Sequence, residues 1–222
     1  MNNTLKKNNV CAVIPFYNEA KTINEVIERT LHFVDYVIAV DDGSNDGSTE
    51  AIEKSERVIL LTNPVNTGKG FALNTGFRES IKNNFEITVT LDADLQHNPE
   101  LVPALIDGIN SYDIIIGNRL NNLKSMPLQR IVSNKLTSIL LSLKTGQKLH
   151  DTQSGFRAYR TKILPDILPL SSGFEAESEI LINASRKNCS IGFVPIPTIY
   201  GNEKSKMKSF QAIIGFIKVL LR

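Results

Sequence analysis

Two aspartates separated by one alanine, Asp92 and Asp94, have the spacing that most clearly suggests chemistry in this 222-residue chain. They follow the apolar run at 87–91, which predicts a buried strand. In extended backbone, residues i and i+2 point to the same side, so the two carboxylates should converge. Converging carboxylates repel each other unless a cation lies between them. Because Mg²⁺ and Mn²⁺ prefer oxygen ligands, the sequence predicts a divalent-metal site at Asp92, Asp94 and Gln96, with His97 as a weaker candidate.

The elements that must position these residues alternate along the first half of the chain. Apolar runs predict strands at 10–14, 36–40, 58–61, 87–91 and 113–116, and helical patterns predict helices at 21–34, 49–55, 70–82 and 100–109. Such alternation predicts an α/β fold, a mainly parallel sheet with helices on both faces. Ligands bind such sheets at the carboxyl ends of the strands. The segments PFYNE, DDGSNDG and DADLQH each follow a strand, so they should meet at one edge.

The second half predicts an amphipathic helix at 131–143, a helix within 173–186, a strand at 191–195 and an apolar tail at 210–221. The tail is shorter than the roughly 18 to 20 apolar residues that cross a bilayer. The amino-terminal residues lack the apolar run of a signal peptide, and the two cysteines are far apart, so we expect reduced thiols and a cytoplasmic location.

Charge is divided unevenly along the chain, although the formal net charge is only +2. Residues 1–118 contain nine Lys/Arg and seventeen Asp/Glu, whereas residues 119–162 contain nine Lys/Arg and one acidic residue, Asp151. An acidic half followed by a basic segment suggests that the first holds a metal and the second binds anions. No nucleic-acid partner is expected.

Six motifs in order carry a resemblance to a known family: VIPFYNE (13–19), VDDGSNDGS (40–48), NTGKG (66–70), DADLQ (92–96), GNR (117–119) and DTQSGFR (151–157). With these motifs the chain resembles the family 2 glycosyltransferases of the GT-A fold, and within them the dolichol- or polyprenyl-phosphate mannosyltransferase-like branch. The resemblance implies a Rossmann-like GT-A domain at 1–200, with a nucleotide half (1–118) and an acceptor half (119–200). A donor-closing loop and an amphipathic or interfacial helix would follow at 201–222.

The resemblance also implies roles for individual residues. The residues implied to bind the nucleotide sugar are Pro15, Tyr17, Asn18, Glu19, Asp41, Asp42, Lys69, Asp92, Ala93 and Lys206. Those implied to bind an acceptor phosphate are Arg119, Arg130, Asn134 and Arg157, and arginine suits this because its planar fork matches phosphate oxygens. Asp94, Arg119 and Glu179 are implied to be catalytic.

Two glutamates, Glu177 and Glu179, leave the chemical class of the acceptor undecided. Family members that glycosylate hydroxyls use a carboxylate near 177–179 as general base, whereas a phosphate acceptor is already anionic and needs none. Glu177 stands where the mannosyltransferase branch often has an amide, and Glu179 stands where glutamate is usual.

Three functional hypotheses follow from these residues. The first is inverting transfer of a hexose, from a donor of the GDP-mannose or UDP-glucose type, to polyprenyl or dolichyl phosphate. In this hypothesis the enzyme is peripherally associated with the membrane, acts at its cytoplasmic face and uses Mg²⁺ or Mn²⁺ as a cofactor. The second is transfer to a saccharide hydroxyl in cell-surface polysaccharide synthesis. The third is a non-catalytic protein that binds nucleotide sugars.

Overall fold

A seven-stranded sheet forms the centre of the computed structural model, which describes residues 9–120, 126–197 and 209–222, with side chains from Ile213 onward in the last range. The strands are β1 (Val10–Phe16), β2 (Tyr36–Asp41), β3 (Val58–Thr62), β4 (Ile87–Thr90), β5 (Ile114–Asn118), β6 (Arg157–Arg160) and β7 (Ile191–Pro195). Their order is β3-β2-β1-β4-β6-β5-β7, and β6 alone among them runs antiparallel to its neighbours. The predicted mainly parallel α/β sheet is confirmed.

Helices cover both faces of this sheet. They are α1 (Ile23–Thr30), α2 (Lys69–Lys82), α3 (Val102–Gly108), α4 (Leu128–Thr145), α5 (Leu164–Ile167), α6 (Ala176–Arg186) and α7 (Ser209–Leu221). Short 3-10 segments, Pro99–Leu101 and Thr161–Ile163, precede α3 and α5. Within the described ranges, no helix combines the length and apolar character needed to span a membrane.

The core has two layers because β1 buries side chains on both of its faces. Ala12 and Ile14 pack into the layer beneath α1 and α3. Cys11 and Val13 pack into the opposite layer, beneath α2 and α6. A strand buried on both faces must be apolar at every position, which is why the sequence showed a continuous run rather than alternation.

The carboxyl-terminal tail packs partly against this core. Val219 of α7 is 2% exposed, and Phe216 and Leu220 pack against the layer that contains α6. The Arg222 guanidinium lies 3.0 Å from the Glu179 carboxylate of α6. One side of α7 therefore belongs to the folded body.

Several predicted elements differ from the observed ones. Residues 49–55 form turns rather than a helix, and α1 is shorter than the predicted 21–34. The strand β1 continues through Pro15 to Phe16, because a proline near the end of a strand removes only one hydrogen-bond donor. The strand β6 was not predicted, because its sequence RAYR is not an apolar run, although it pairs with both β4 and β5.

Candidate active site

The carboxyl ends of β1, β2, β4 and β5 meet at one edge of the sheet. Phe16 lies beside Asp41, and Val13 beside Thr90. The start of the antiparallel β6 reaches the same edge, because Arg157 pairs with Thr90 on one side and Ile116 on the other. The predicted meeting of the polar segments after β1, β2 and β4 is confirmed, and the segment before β6 joins them.

The loops after β1 and β2 are locked together by hydrogen bonds. The Asn18 N–H donates to Ser44 Oγ at 2.9 Å, and the Asn45 N–H donates to Asn18 Oδ1 at 2.9 Å. The Glu19 N–H donates to Ser48 Oγ at 2.7 Å. Asn18 has a positive φ of 53°, a conformation that asparagine tolerates better than most residues. The two motifs thus form one rigid wall, in which Tyr17, Asn18 and Glu19 stay partly exposed.

Asp41, the last residue of β2, and Asp42, directly after it, both hold loops in place. Asp41 accepts from the Ser44 N–H at 2.8 Å and the Thr49 hydroxyl at 2.6 Å. Asp42 accepts from the Gly68 N–H at 2.7 Å and from the Asn63 side-chain amide at 2.9 Å. Both carboxylates are buried, so their first role is structural. Their contact with a nucleotide stays a prediction.

Two other predicted nucleotide-binding side chains are turned into the protein. Pro15 is buried within β1, and Ala93 is 3% exposed. Because neither side chain is accessible, only the backbone at these positions could contact a nucleotide. The nucleotide-binding roles of both positions stay predictions.

Glycines let Lys69 enter the site at the start of α2. A Cβ on Gly68 would lie 2.5 Å from the Ser172 carbonyl oxygen, and a Cβ on Gly70 would lie 2.5 Å from the Ala176 Cβ. Gly68 also has φ +115°, a conformation that side chains other than glycine's rarely adopt. The sequence GKG therefore allows α2 to pack closely against the start of α6, which carries Glu177.

Lys69 joins two acidic residues that are distant in sequence. Its Nζ lies 2.6 Å from Asp92 Oδ1 and 2.9 Å from Glu177 Oε1. Gly155 forms the adjacent wall, where a Cβ would lie 2.9 Å from Lys69 Nζ and 3.2 Å from Asp92 Oδ1. The Thr90 hydroxyl donates to the Gly155 carbonyl at 2.8 Å and fixes that wall to the end of β4. We call Lys69, Asp92, Gly155 and Glu177 the charged cluster.

The charged cluster favours ionised side chains. Burial alone would raise the pKa of Asp92, but the Lys69 ammonium, helped by other positive groups that include Arg119, holds that pKa at about 2. Burial alone would lower the pKa of Lys69, but Asp92 and Glu177 raise it above its ordinary value. Asp92 is therefore an anion and Lys69 a cation across the physiological pH range.

The His97 side chain holds the backbone of Asp92 in place. Its Nδ1 accepts the Asp92 backbone N–H at 3.0 Å, and its ring stacks on Phe156 with centroids 5.3 Å apart. Burial lowers the pKa of His97 to about 4, so the ring is neutral and can accept this bond. Because Nδ1 is occupied and the side chain is 5% exposed, His97 is a positioning residue rather than the extra metal ligand that the sequence suggested.

The DAD segment has a different local geometry from the one expected. The chain leaves β4 at Thr90, bends at 93–95, and places Leu95 at φ 60°. Asp94 Oδ1 accepts the Gln96 N–H at 3.0 Å, which closes the bend. The inference from extended backbone is therefore replaced by a turn that brings Asp94 and Gln96 together.

The chemistry of this segment fits a divalent cation. Asp92, Asp94 and Gln96 offer oxygen donors, and the Asp92 side chain is 31% exposed. The Lys69 ammonium already lies beside Asp92, which shows that positive charge is favoured there. Within residues 9–120, 126–197 and 209–222, no set of three or more His, Cys, Asp or Glu side chains forms a ready-made metal cage. Such an open set suits an ion that also takes ligands from a bound diphosphate.

Arg119 stands at the carboxyl end of β5 and is held by a buried carboxylate. Its Nε and Nη2 donate to the two oxygens of Asp151 at 2.9 and 3.0 Å, and its backbone N–H donates to Asp151 Oδ2 at 3.1 Å. Asp151 is fully buried, whereas the Arg119 side chain is 20% exposed. This bidentate pair fixes the guanidinium plane in a position that influences Asp92 electrostatically. Its phosphate-binding and catalytic roles stay predictions.

The structure corrects the prediction for Arg157. This side chain is 1% exposed, and its Nε, Nη1 and Nη2 donate to the carbonyls of Ser154, Glu177 and Thr152 at 2.7, 2.9 and 2.9 Å. A guanidinium buried in this way cannot bind an acceptor phosphate. Arg157 instead ties the DTQSGFR segment to the start of α6.

The prediction for Glu179 as a catalytic residue is also corrected. Its Oε2 accepts the Ser171 N–H at 2.8 Å, and its Oε1 pairs with Arg222. Residues two apart on a helix point in widely different directions, so Glu177 faces the charged cluster when Glu179 does not. Glu177 is the acidic residue of α6 that belongs to the site.

Two further predicted residues belong to α4. Arg130 is exposed in the first turn of α4, and the Asn134 amide contacts Met126 Sδ at 3.9 Å. The phosphate contacts of both residues stay predictions. Lys206 lies outside the described residues.

No role was predicted for Gly155 and Asp151, and the role of Glu177 was left open. Gly155 and Asp151 were visible as parts of DTQSGFR, where a glycine between polar residues indicates a close backbone approach. Glu177 was visible as an acidic residue in the first turn of a helix. The pattern could not show that Glu177 and Gly155 meet Lys69, because they lie 108 and 86 residues after it in the chain.

Comparison with known proteins agrees with this geometry. The family model described as "Glycosyl transferase family 2" matches residues 11–168. The protein MJ1222 of Methanocaldococcus jannaschii, described as uncharacterized, is 36% identical and covers 99% of this chain and 93% of its own. A UDP-N-acetylglucosamine–dolichyl-phosphate N-acetylglucosaminyltransferase of Methanococcus voltae is 34% identical and covers 92% of this chain and 90% of its own.

A solved structure shares the fold. Glucosyl-3-phosphoglycerate synthase from Mycobacterium tuberculosis, crystallised with Mn²⁺, UDP and phosphoglyceric acid, aligns with a TM-score of 0.76 and 21% identity. The alignment covers 96% of this chain and 79% of that one. The predicted GT-A architecture is confirmed, and a relative from the predicted dolichyl-phosphate branch is among the similar proteins. The chain belongs to glycosyl transferase family 2.

Proposed function

We propose that this protein transfers a hexose, with inversion, from a nucleotide-diphosphate sugar to a polyprenyl or dolichyl phosphate. The observation that carries the proposal is the charged cluster at the carboxyl edge of the sheet, with the Arg119–Asp151 pair at the carboxyl end of β5. Acidic side chains there suit a metal-bound diphosphate, and a fixed guanidinium suits a second phosphate. The dolichyl-phosphate transferase similarity supports the choice of acceptor.

The donor would lie along the wall formed by the loops after β1 and β2. Tyr17, Asn18 and Glu19 would contact the base and ribose, and Lys69 would contact the diphosphate at the start of α2. Asp92, Asp94 and Gln96 would hold Mg²⁺ or Mn²⁺, which when bound neutralises negative charge that develops on the departing diphosphate. The donor would be of the GDP-mannose or UDP-glucose type.

In the proposed reaction, an oxygen of the lipid phosphate attacks the anomeric carbon of the sugar. A new carbon–oxygen bond forms while the bond from that carbon to the donor diphosphate breaks. The nucleoside diphosphate leaves with the electron pair, and the anomeric configuration inverts. Lys69 and Arg119 would orient and stabilise the phosphate groups on either side of the sugar. No proton needs to be removed from an acceptor that is already an anion.

A peripheral position at the cytoplasmic membrane face would give the enzyme access to a lipid acceptor. The exposed cations of the basic segment 119–162, such as Arg130 and Lys135 of α4, would then lie near anionic headgroups. The acceptor phosphate would be received by Arg119, with Arg130 and Asn134 of α4 as further candidates.

Glu177 favours a second candidate function. A carboxylate beside the donor site is what a general base for a sugar hydroxyl requires. Here Glu177 Oε1 lies 2.9 Å from Lys69 Nζ, inside the charged cluster. Transfer to a saccharide hydroxyl is therefore the alternative that a direct assay must separate from transfer to a lipid phosphate.

The test is a matrix of donors and acceptors. Labelled GDP-mannose, UDP-glucose and UDP-N-acetylglucosamine are each offered with a short polyprenyl phosphate, with free saccharides, or with no acceptor. Each combination is run with Mn²⁺ and with EDTA. We expect the label to appear in the polyprenyl phosphate when Mn²⁺ is present and not when EDTA is present. Label in a saccharide would establish the second function, and donor binding without any transfer or hydrolysis would show a binding protein.

A further inference from the structure

Glu179 is buried in α6, and both of its carboxylate oxygens have partners. The residue is 5% exposed. Its Oε2 accepts the Ser171 N–H at 2.8 Å, and its Oε1 lies 3.0 Å from the Arg222 guanidinium of α7. A carboxylate accepts hydrogen bonds at both oxygens, whereas a side-chain amide has one accepting oxygen and a nitrogen that only donates. Two donors from different parts of the chain therefore require a glutamate at this position.

Helix α7 contacts the start of α6 at a second point. Glu175 directly precedes α6 and lies one helical turn before Glu179, so the two side chains are on the same face. A Cβ on Gly215 of α7 would lie 2.7 Å from Glu175 Oε2, and a Cβ on Gly173 would lie 2.5 Å from the same oxygen. The two glutamates therefore connect α7 to both ends of the segment 171–173.

The segment 171–173 packs on the turn that carries Lys69. The Phe71 N–H donates to the Ser172 carbonyl at 3.1 Å. A Cβ on Gly70 would lie 2.6 Å from a carbonyl oxygen of this segment. Because two stretches of backbone meet here in close contact, a shift of the segment must shift the turn 68–71 as well.

Other side chains hold the same loop farther from Lys69. The Asn183 amide of α6 donates to the Leu168 carbonyl at 3.3 Å, and the Asn74 amide of α2 donates to the Pro169 carbonyl at 3.0 Å. Both contacts fix the loop before it reaches residue 171. Asn183 therefore offers a matched comparison for Glu179, on the same helix and against the same loop.

We propose that Glu179 is a positioning residue for the donor. It holds the segment 171–173 against α2, and so fixes the Lys69 ammonium beside Asp92. Arg222 holds Glu179 in turn, so the packing of α7 supports the diphosphate side of the site. The inference rests on the proposed function, which assigns Lys69 to the donor diphosphate.

The expected effect follows from the cost of ordering a binding group. A diphosphate binds most tightly when Lys69 needs no rearrangement before it makes contact. If the turn 68–71 could shift, part of the binding free energy would be lost in ordering it. Loss of Glu179 should therefore weaken diphosphate binding, although the side chains that meet the nucleotide are unchanged.

The test measures nucleotide binding by Glu179→Ala and by the matched control Asn183→Ala. Each variant lacks one side chain that bonds to the backbone of the same loop, and of the two it is Glu179 that bonds to the segment on the turn 68–71. Dissociation constants of UDP and GDP with Mn²⁺ are measured by isothermal titration calorimetry without acceptor, and circular dichroism confirms folding. We expect binding about tenfold weaker in Glu179→Ala and unchanged in Asn183→Ala.

A double-mutant cycle with Lys69→Met distinguishes positioning from a general loss of structure. Without the Lys69 ammonium there is no cation left to position, so adding Glu179→Ala should weaken binding by about twofold or less. Equal losses with and without Lys69 would overturn the inference. Equal losses in Glu179→Ala and Asn183→Ala would also overturn it.

Two milder variants keep the test decisive if Glu179→Ala does not fold. Glu179→Gln retains one accepting oxygen, and Arg222→Gln removes the partner on α7. Because both leave the bond with Ser171 possible, each should weaken nucleotide binding by about threefold, and again only when Lys69 is present. Binding by both variants that equals that of the unaltered protein would contradict the proposed role of Glu179.

Hydrogen exchange separates this inference from the proposed function. The backbone amides of residues 68–75 should exchange faster in Glu179→Ala than in the unaltered protein or in Asn183→Ala, whether or not a nucleotide is bound. If the unaltered protein bound neither UDP nor GDP, the proposed donor would be refuted, and hydrogen exchange would still decide whether Glu179 positions the turn. Equal exchange in the three proteins would rule this out.

Discussion

Lys69 holds two carboxylates together, so replacing it with methionine tests the charged cluster directly. Lys69→Met keeps most of the side-chain volume but removes the charge between Asp92 and Glu177. The Lys69, Asp92 and Glu177 side chains are 16%, 31% and 11% exposed, so water screens the remaining carboxylates poorly. Removing one partner of a buried ion pair costs about 3–5 kcal/mol, and the partial exposure of Asp92 favours the lower end. For a chain of this size, about 3 kcal/mol corresponds to a melting temperature lower by about 6–12 °C.

A divalent cation should replace the missing charge. Without Lys69, Asp92 and Glu177 repel each other, and Mn²⁺ near Asp92 relieves that repulsion. At about one hundred times its dissociation constant, a ligand stabilises the folded state by about 2.7 kcal/mol, which nearly restores the melting temperature. The unaltered protein should respond less to Mn²⁺ without nucleotide, because Lys69 already occupies Asp92 Oδ1.

The matched control is Lys82→Met on the same helix. Lys82 is 74% exposed and pairs with Glu79 at 3.0 Å, and such surface pairs contribute about 0–1 kcal/mol. Differential scanning fluorimetry of the three proteins, with EDTA and over a Mn²⁺ series, measures both effects. The reasoning is refuted if Lys69→Met melts within about 2 °C of the unaltered protein, or if Mn²⁺ raises all three melting temperatures equally.

Three further predictions concern single residues. Asp94→Asn should abolish Mn²⁺-dependent transfer with an unchanged melting temperature; normal turnover in EDTA would contradict the metal site. Arg157→Ala should lower the free energy of unfolding by about 3 kcal/mol or more, because three buried carbonyls lose their donor. A higher acceptor KM with no change in the urea midpoint would contradict the structural role assigned to Arg157. Burial alone would raise the pKa of Asp113, but hydrogen bonds from Ser190 and the nearby Arg160 lower it below its ordinary value of 3.8. The unaltered protein should therefore be more stable than Asp113→Asn. This advantage should be full above pH 3.8 and should disappear as the pH falls through the lower pKa of the folded state. Urea unfolding over a pH series from 7 to below 3.8 checks this, and an advantage that does not decrease anywhere below pH 3.8 would refute it.

The local sequence determined most of the sheet and its reactive edge. Strands such as β1 and β5 were visible as short apolar runs, because parallel strands covered on both faces need apolar residues at successive positions. The DAD and DDGSNDG motifs were placed correctly at the carboxyl edge because each directly follows such a run. Both features are local properties of the sequence, because they do not depend on contacts between distant parts of the chain.

The tertiary structure alone decided which charged residues face the site. Arg119 and Arg157 both stand in motifs with small polar neighbours, yet one is partly exposed and the other is buried with three carbonyl partners. Glu177 rather than Glu179 reaches Lys69 because the direction of a helical side chain depends on how α6 packs against α2. The antiparallel β6 escaped notice for the same reason. Its RAYR sequence is stabilised by pairing with β4 and β5, and partners of a strand lie far away in the chain, where local patterns carry no information.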